Sequence, residues 1–232
     1  MRLLILFAVL ALIVAGALYA IRSGAIDVPP DWNPWAQLDV NAEPNFLTRY
    51  KLDRLSKSSE QCQQVLATTG IKYEPLDNRV TGPACGFFNA VRIERTSSHV
   101  GKSFSLSCRA AVSLALWERH VLDPAAQAHF GQKIATLEHF GSYSCRNVYG
   151  RANATRSQHA TAEALDVAGF VLDDGKRIRV VKDWEEGGEN AAFLRDVRTG
   201  ACRFFDAVLG PEYNAAHRDH FHFDRGPYRA CR

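Results

Sequence analysis

Leu3 to Ile21 is apolar throughout, apart from the hydroxyl of Tyr19, and Arg2 and Arg22 bracket it. Nineteen such residues, at about 1.5 Å rise each, reach roughly 28 Å, close to the hydrocarbon thickness of a bilayer. This segment targets the chain to a membrane, and everything after Arg22 is expected on the export side. Ala15-Gly16-Ala17 offers a small-residue cleavage site, as in a signal peptide followed by secretion. The apolar run continues past it to Ile21, which favours a retained single-pass anchor in the inner membrane with the remainder in the periplasm.

Export decides how the cysteines read. Cys62, Cys85, Cys108, Cys145, Cys202 and Cys231 never form CxxC, so a zinc ribbon or thioredoxin motif is absent. In an oxidising compartment six cysteines predict three disulfides, with fifteen possible pairings that the sequence does not choose among; buried free thiols are the alternative. Setting aside Arg2 and Arg22 leaves 26 basic against 25 acidic residues. No basic stripe is present, so nucleic acid is not an expected partner.

Pro29, Pro30, Pro34 and Pro44, with Trp32 and Trp35 among them, predict an extended linker over residues 23–46. The tryptophans fit the membrane headgroup level or packing on the folded domain. Residues 47–232 are expected to form one α+β domain. Ser59 to Thr69 reads as a helix ending at Gly70, and Phe87 to Arg95 as a strand. Leu106 to Val121 has apolar residues at helical spacing, and Asp123-Pro124 starts a further short helix with Asp as N-cap. Ile134 to Arg146 is mainly strand-like. Leu165 to Leu172 and Arg177 to Val181 flank Asp173-Asp174-Gly175, a hairpin signal. Glu189 to Val208 is helical, and His220 to Asp224 is a terminal strand.

Strand alternation at His220-Phe221-His222 puts both imidazoles on one face and Phe221 and Phe223 on the other. Likewise Asp166 is a lone carboxylate between Ala164 and Ala168, backed by Leu165 and Val167. A buried charge there needs a partner, and a metal supplies one. His159 lies in the loop entering that strand. A catalytic zinc takes three His, Asp or Glu ligands, keeps a fourth position for water, and lowers that water's pKa to about 7. His159, Asp166 and one histidine of the C-terminal pair make such a set. The bland alternative is surface or hydrogen-bonded core histidines, the reading that suits His99, His120, His129 and His139.

Ser157-x-His159-x6-Asp166 followed by His220-x-His222 resembles the signature of the LAS metallopeptidases, and His217, His220 and His222 together are most similar to its murein endopeptidase branch. More closely still, the stretch from Gly141-Ser142-Tyr143 through His222 resembles the bacterial extensin-like C-terminal domain family, over roughly the last 170 residues. The resemblance implies an α+β fold with a small antiparallel sheet carrying the metal site, flanked by helices as in the LAS/Hedgehog-like peptidase core and stapled by disulfides. It implies His159, Asp166 and His222 as Zn2+ ligands and His220 as the histidine assisting proton transfer. It implies His217 and Ser157 in support, and Arg146 as the arginine that holds substrate. Many relatives carry Glu as general base where this chain has Asp219. Asp219 is then the base or the residue that orients His220, with His220 favoured.

The function implied is a membrane-anchored, zinc-dependent peptidase of peptidoglycan peptides. Two other readings stand beside it. One is a non-catalytic envelope module that keeps the metal. The other is a disulfide-stapled structural domain in which Asp166 pairs with Arg146 or Arg156. Oligomeric state is not readable from the residues.

Overall fold

The computed structural model describes all 232 residues. Arg2–Arg22 forms helix α1, with no buried residue and a mean hydropathy of 2.8 over an 18-residue window. It is apolar and long enough to cross a membrane, and a signal sequence meets the same description.

The proline-rich segment that follows lies against the domain. Pro30–Trp32 makes one 3-10 turn, and Leu38 and Val40 are buried in the main core. The prolines bar regular sheet here, but their carbonyls still accept. Lys51 Nζ donates to Pro30 O and an Arg54 N–H to Pro34 O. His120 Nε2–H donates to Val40 O at 2.8 Å. Trp32 rests on Phe46, with ring centroids 5.7 Å apart.

Helices α2 (Phe46–Leu55) and α3 (Ser59–Leu66) each start on a polar cap: Asn45 accepts from Leu47 N–H and Ser58 from Gln61 N–H. A sheet follows from β1 (Lys72–Leu76), β4 (Ala90–Arg95) and β5 (His99–Ser107), with β2 (Arg79–Gly82) and β3 (Cys85–Phe87) as a separate hairpin. Helices α4 (Cys108–Trp117) and α5 (Asp123–Phe130) precede β6 (Ile134–Gly141). Then come β7 (Ala164–Leu172), β8 (Arg177–Arg179), α6 (Val180–Glu186), α7 (Gly188–Ala201), β9 (Ala207–Leu209), β10 (Phe221–Asp224) and β11 (Ala230–Cys231). The sheet has nine strands, in the order β1-β4-β5-β6-β7-β10-β9-β11 with β8 also on β7. Most pairs are antiparallel; β5 with β6 and β9 with β11 are parallel.

The fold is α+β, but its sheet is larger than a small antiparallel one, and mixed. Strands β1, β2, β11 and most of β5 lie where no element was expected, and β5 is the longest of them. Its buried Val100, Phe104 and Leu106 alternate with exposed or half-buried Gly101, Lys102, Ser103 and Ser105. Leu106 and Ser107 therefore end a strand, and Ser107 caps α4 by accepting from Ala110 N–H at 3.2 Å. That helix does not stop cleanly before Asp123. A π-helical turn, Glu118–Leu122, joins α4 to α5, so Leu122 rather than Asp123 holds the cap position. Asn89, at φ 46, splits the expected Phe87–Arg95 strand into β3 and β4. The strand expected to reach Arg146 ends at Gly141, Val181 belongs to α6, and the helix after Glu189 ends at Ala201, before β9. The Asp173-Asp174-Gly175 hairpin joins β7 and β8 as expected.

One face of the sheet packs on the helices. Phe221 and Phe223 of β10 and Leu165 and Val167 of β7 join Trp117 and Phe193 in a core of 42 buried residues. Trp117 meets Phe223 edge-on at 5.2 Å, and its Nε1–H donates to Val197 O. Three disulfides staple the margins: Cys62–Cys108 ties α3 to α4, Cys85–Cys145 ties β3 to the loop after β6, and Cys202–Cys231 ties the end of α7 to β11.

Gly200 marks a close approach of α7 to the π-helical turn. A Cβ there would lie 2.3 Å from Val121 Cγ1. Alanine is the better helix former by about 1 kcal/mol, but overpacking a rigid contact costs about 1–3 kcal/mol. Gly200→Ala is expected to lower stability on balance, by up to about 2 kcal/mol, read as a lower denaturation midpoint at unchanged m-value. A variant as stable as the wild type would show that Val121 yields freely.

Candidate metal centre

Strands β7 and β10 are antiparallel with Asp166 directly opposite His222. The residues that bury Leu165, Val167, Phe221 and Phe223 on the helical side therefore turn Asp166 and His222 to the other side. The loop between β6 and β7 crosses this second face and brings His159 to it. Ser157 caps a 3-10 turn, Gln158–Thr161, by accepting from His159 N–H at 3.3 Å. Ala162, at φ 56, then redirects the chain into β7.

Three side chains converge. His222 Nδ1 lies 3.0 Å from Asp166 Oδ1, His159 Nε2 lies 3.2 Å from Asp166 Oδ2, and the two nitrogens are 3.1 Å apart. His159 and His222 are buried, at 4% and 8% exposure. Their remaining nitrogens are spoken for. His159 Nδ1–H donates to Ser142 O at 2.9 Å, and His222 Nε2–H donates to Asp224 Oδ2 at 2.9 Å. Asp224 is itself held by Gly226 N–H. Each imidazole thus turns a lone pair toward the other, and two lone pairs in contact beside a carboxylate require a cation between them.

In the metal-free protein that cation is a proton. Burial alone would lower the pKa of His222, but hydrogen bonds to Asp166 and Asp224 outweigh it and raise it to about 9. Burial pushes the Asp166 carboxyl up, yet hydrogen bonds from His159 and His222 hold it below the ordinary carboxylate range. His217, whose ring lies 5.8 Å from that of His222, is lowered to about 4 by burial and then by the imidazoles of His222 and His220.

The donor set also fits zinc. Ligands at about 2.0–2.1 Å in tetrahedral array lie roughly 3.3 Å from one another; the two imidazole nitrogens are 3.1 Å apart, each lies within 3.2 Å of a different oxygen of the Asp166 carboxylate, and one ligand atom from each of the three residues lies within 4.8 Å of the others. Both histidines have the outer acceptor that fixes a metal ligand's tautomer. Because the His222 proton must leave before a metal binds, zinc affinity is expected to rise about tenfold per pH unit and level off near pH 9. The metal-free fold behaves oppositely. The raised His222 pKa contributes stability in full below its ordinary value of 6.5, lost as pH rises through about 9. Competition with a chromophoric chelator across this range reads the first effect; pH-independent uptake would contradict it.

The remaining expected residues fall into two groups. His220 and His217 join the cluster. His220 Nε2 is 3.5 Å from Asp166 Oδ1, and its Nδ1–H donates to Asp219 at 2.8 Å. His217 Nδ1–H donates to Asn214 Oδ1, and its ring lies 5.3 Å from that of His220. Arg146 is not drawn in: it is exposed, and its guanidinium makes no hydrogen bond or ion pair. Asp166 pairs with neither Arg146 nor Arg156, whose side chain donates to Pro83 O and Asn147 Oδ1. The sequence reading missed Asp224 and Ser142. Asp224 had a signal, since it follows His220 and His222 by the same two-residue step. Ser142 acts through its carbonyl and had none.

The family model described as extensin-like protein C-terminus matches residues 60–232. No curated protein and no solved structure matches the chain.

Proposed function

The chain belongs to the extensin-like C-terminal family, and from that premise we propose that it is a zinc-dependent peptidase acting on peptidoglycan peptides in the periplasm. The observation that carries the reading is the triangle of His159, Asp166 and His222, with both imidazole tautomers fixed from outside. A zinc ion bound by these three supplies Lewis acidity and makes water a nucleophile near neutral pH. The chain supplies the proton path. Asp219 fixes His220 by its Nδ1–H, which leaves Nε2 turned toward the centre. His220 then takes a proton from the attacking water and returns it to the leaving amine. Asn214 holds His217 beside it, and burial keeps that imidazole neutral. Arg146 is free to hold a carboxylate of the substrate. The resemblance to LAS metallopeptidases supports the same assignment of roles.

The apolar helix α1 fits an inner-membrane anchor, or a signal sequence, and the three disulfides suit an oxidising compartment. The substrate class rests on the compartment and the resemblance. The test is to produce the chain oxidised, measure zinc per chain, and incubate it with purified sacculi while reading released muropeptides by mass. About one zinc per chain with new peptide termini is expected. Less than about a tenth of a zinc after supplementation would overturn the metal reading, and full zinc without release would favour a non-catalytic envelope module.

A further inference from the structure

Trp32 and Trp35 point to different surroundings. Trp35 is half-buried and lines a small hollow with Leu38, Leu55 and Val65. Trp32 is turned outward, 57% exposed, and rests on Phe46, itself 74% exposed. Phe46 starts α2, and Tyr50 and Arg54 follow it at successive four-residue steps, so all three share one stripe of the helix. Tyr50 is 48% exposed, and the Arg54 guanidinium lies over its ring at 5.9 Å. The rest of α2 buries Thr48, Lys51, Leu52 and Leu55. The aromatic stripe is therefore the face of this helix that the domain leaves uncovered.

Its reach from the membrane is set by the chain. The turn that carries Trp32 is clamped to α2: Lys51 Nζ donates to Pro30 O at 2.7 Å, Asn45 Nδ2–H to Asp31 O at 2.8 Å, and an Arg54 N–H to Pro34 O at 2.6 Å. Only Ser23–Pro29 lies between α1 and that clamp, a span of at most about 25 Å when fully extended. The end of α1 takes up part of it, because the N–H groups of Gly24, Ala25 and Ile26 bond back to carbonyls of Ile21 and Ala20. Where α1 crosses a bilayer, the stripe stays within that reach of its surface.

We propose that Trp32, Phe46 and Tyr50 seat the domain on the phospholipid headgroup layer of the membrane that α1 crosses. Tryptophan and tyrosine concentrate at that depth, where an apolar ring and its polar N–H or O–H are both satisfied. Arg54, beside Tyr50, is placed to meet a lipid phosphate. Three side chains do not make the about 800 Å² per partner of a standard protein interface, which counts against a second protein chain. The domain is thus held against the membrane instead of swinging on its linker. The inference rests on α1 being retained as an anchor, and not on the peptidase reading.

The test uses the full oxidised chain in phosphatidylcholine vesicles whose lipids carry a nitroxide either just below the headgroup or deep in the acyl chain. Helix α1 has no tryptophan, and Trp117 and Trp184 are buried in the core, so quenching reports on Trp32 and Trp35. The shallow label is expected to quench more emission than the deep one, and Trp32→Phe to lose most of that quenching. Phe46→Asp combined with Tyr50→Gln is expected to lose it as well, at a melting midpoint close to that of the wild type. No shallow quenching in the wild type, full quenching in Trp32→Phe, or full quenching in the double variant would overturn the proposal. Cross-links joining the stripes of two chains, with no quenching, would assign the face to a second copy and overturn it too. The mass of the chain recovered from cell membranes separates the two ways of failing. An intact chain without quenching overturns the seat and leaves the anchor, whereas a chain that has lost α1 overturns both.

Discussion

Asp166→Ala is expected to take zinc from about one ion per chain to below about a tenth after dialysis, and hydrolysis with it. The carboxylate is the one anionic corner of the triangle. Without it His159 Nε2 and His222 Nδ1 face each other at 3.1 Å with no anionic ligand to offset a dication. Altering an outer partner of a ligand costs about 10–100-fold in affinity, and loss of a ligand is expected to exceed that. The metal-free fold weakens too. His222 keeps Asp224 but loses the partner opposite it on β7, and breaking a buried ion pair costs about 3–5 kcal/mol. Asp166→Asn keeps the volume and one acceptor oxygen, so it is expected to fold nearly as well while still binding zinc poorly. Elemental analysis and thermal melts on the two variants separate lost metal from lost fold. Full zinc retention in Asp166→Ala would remove this carboxylate from the ligand set.

The site was more legible than the frame around it, for a physical reason. A two-residue step in a strand fixes which side chains share a face, so His220 with His222, and Asp166 between alanines, declared their side before any pairing was known. What a step cannot state is register. That Asp166 falls opposite His222, rather than one position away, depends on how β7 meets β10. Asp224 continues the same step, and the only barrier to finding it was that it lies beyond the histidine motif. Ser142 contributes a carbonyl, which every residue has. The frame misled where local pattern and tertiary context part. Leu106 continues the alternation of β5 as well as it begins the apolar spacing of α4, and the Ser107 cap between them decides the boundary. Asp123-Pro124 carries a start signal that the π-helical turn overrides by running α4 into α5. Leu38 and Val40 lie among prolines, which forbid regular structure but not burial.

His220→Ala is expected to lower hydrolysis by about 10²–10⁴-fold, the range for a lost proton-transfer group, while zinc content stays at the wild-type level. The separation follows from geometry. His220 stands outside the group of His159, Asp166 and His222 whose ligand atoms all lie within 4.8 Å of one another, and its Nδ1 is committed to Asp219. Removing the ring therefore leaves the three ligands and their outer partners in place. The same contact gives Asp219 a subordinate role, because it acts through His220. Asp219→Asn keeps an oxygen that accepts from Nδ1–H, so it is expected to retain most of the turnover, while Asp219→Ala loses part of it by freeing the ring. If Asp219 were itself the base, Asn would be as damaging as Ala, and His220→Ala would retain substantial activity. The double variant His220→Ala with Asp219→Ala settles the order of the pair. A positioning residue adds nothing once the ring it positions is gone, so the double variant is expected to match His220→Ala alone. A further loss in the double variant would mean that Asp219 reaches the substrate independently.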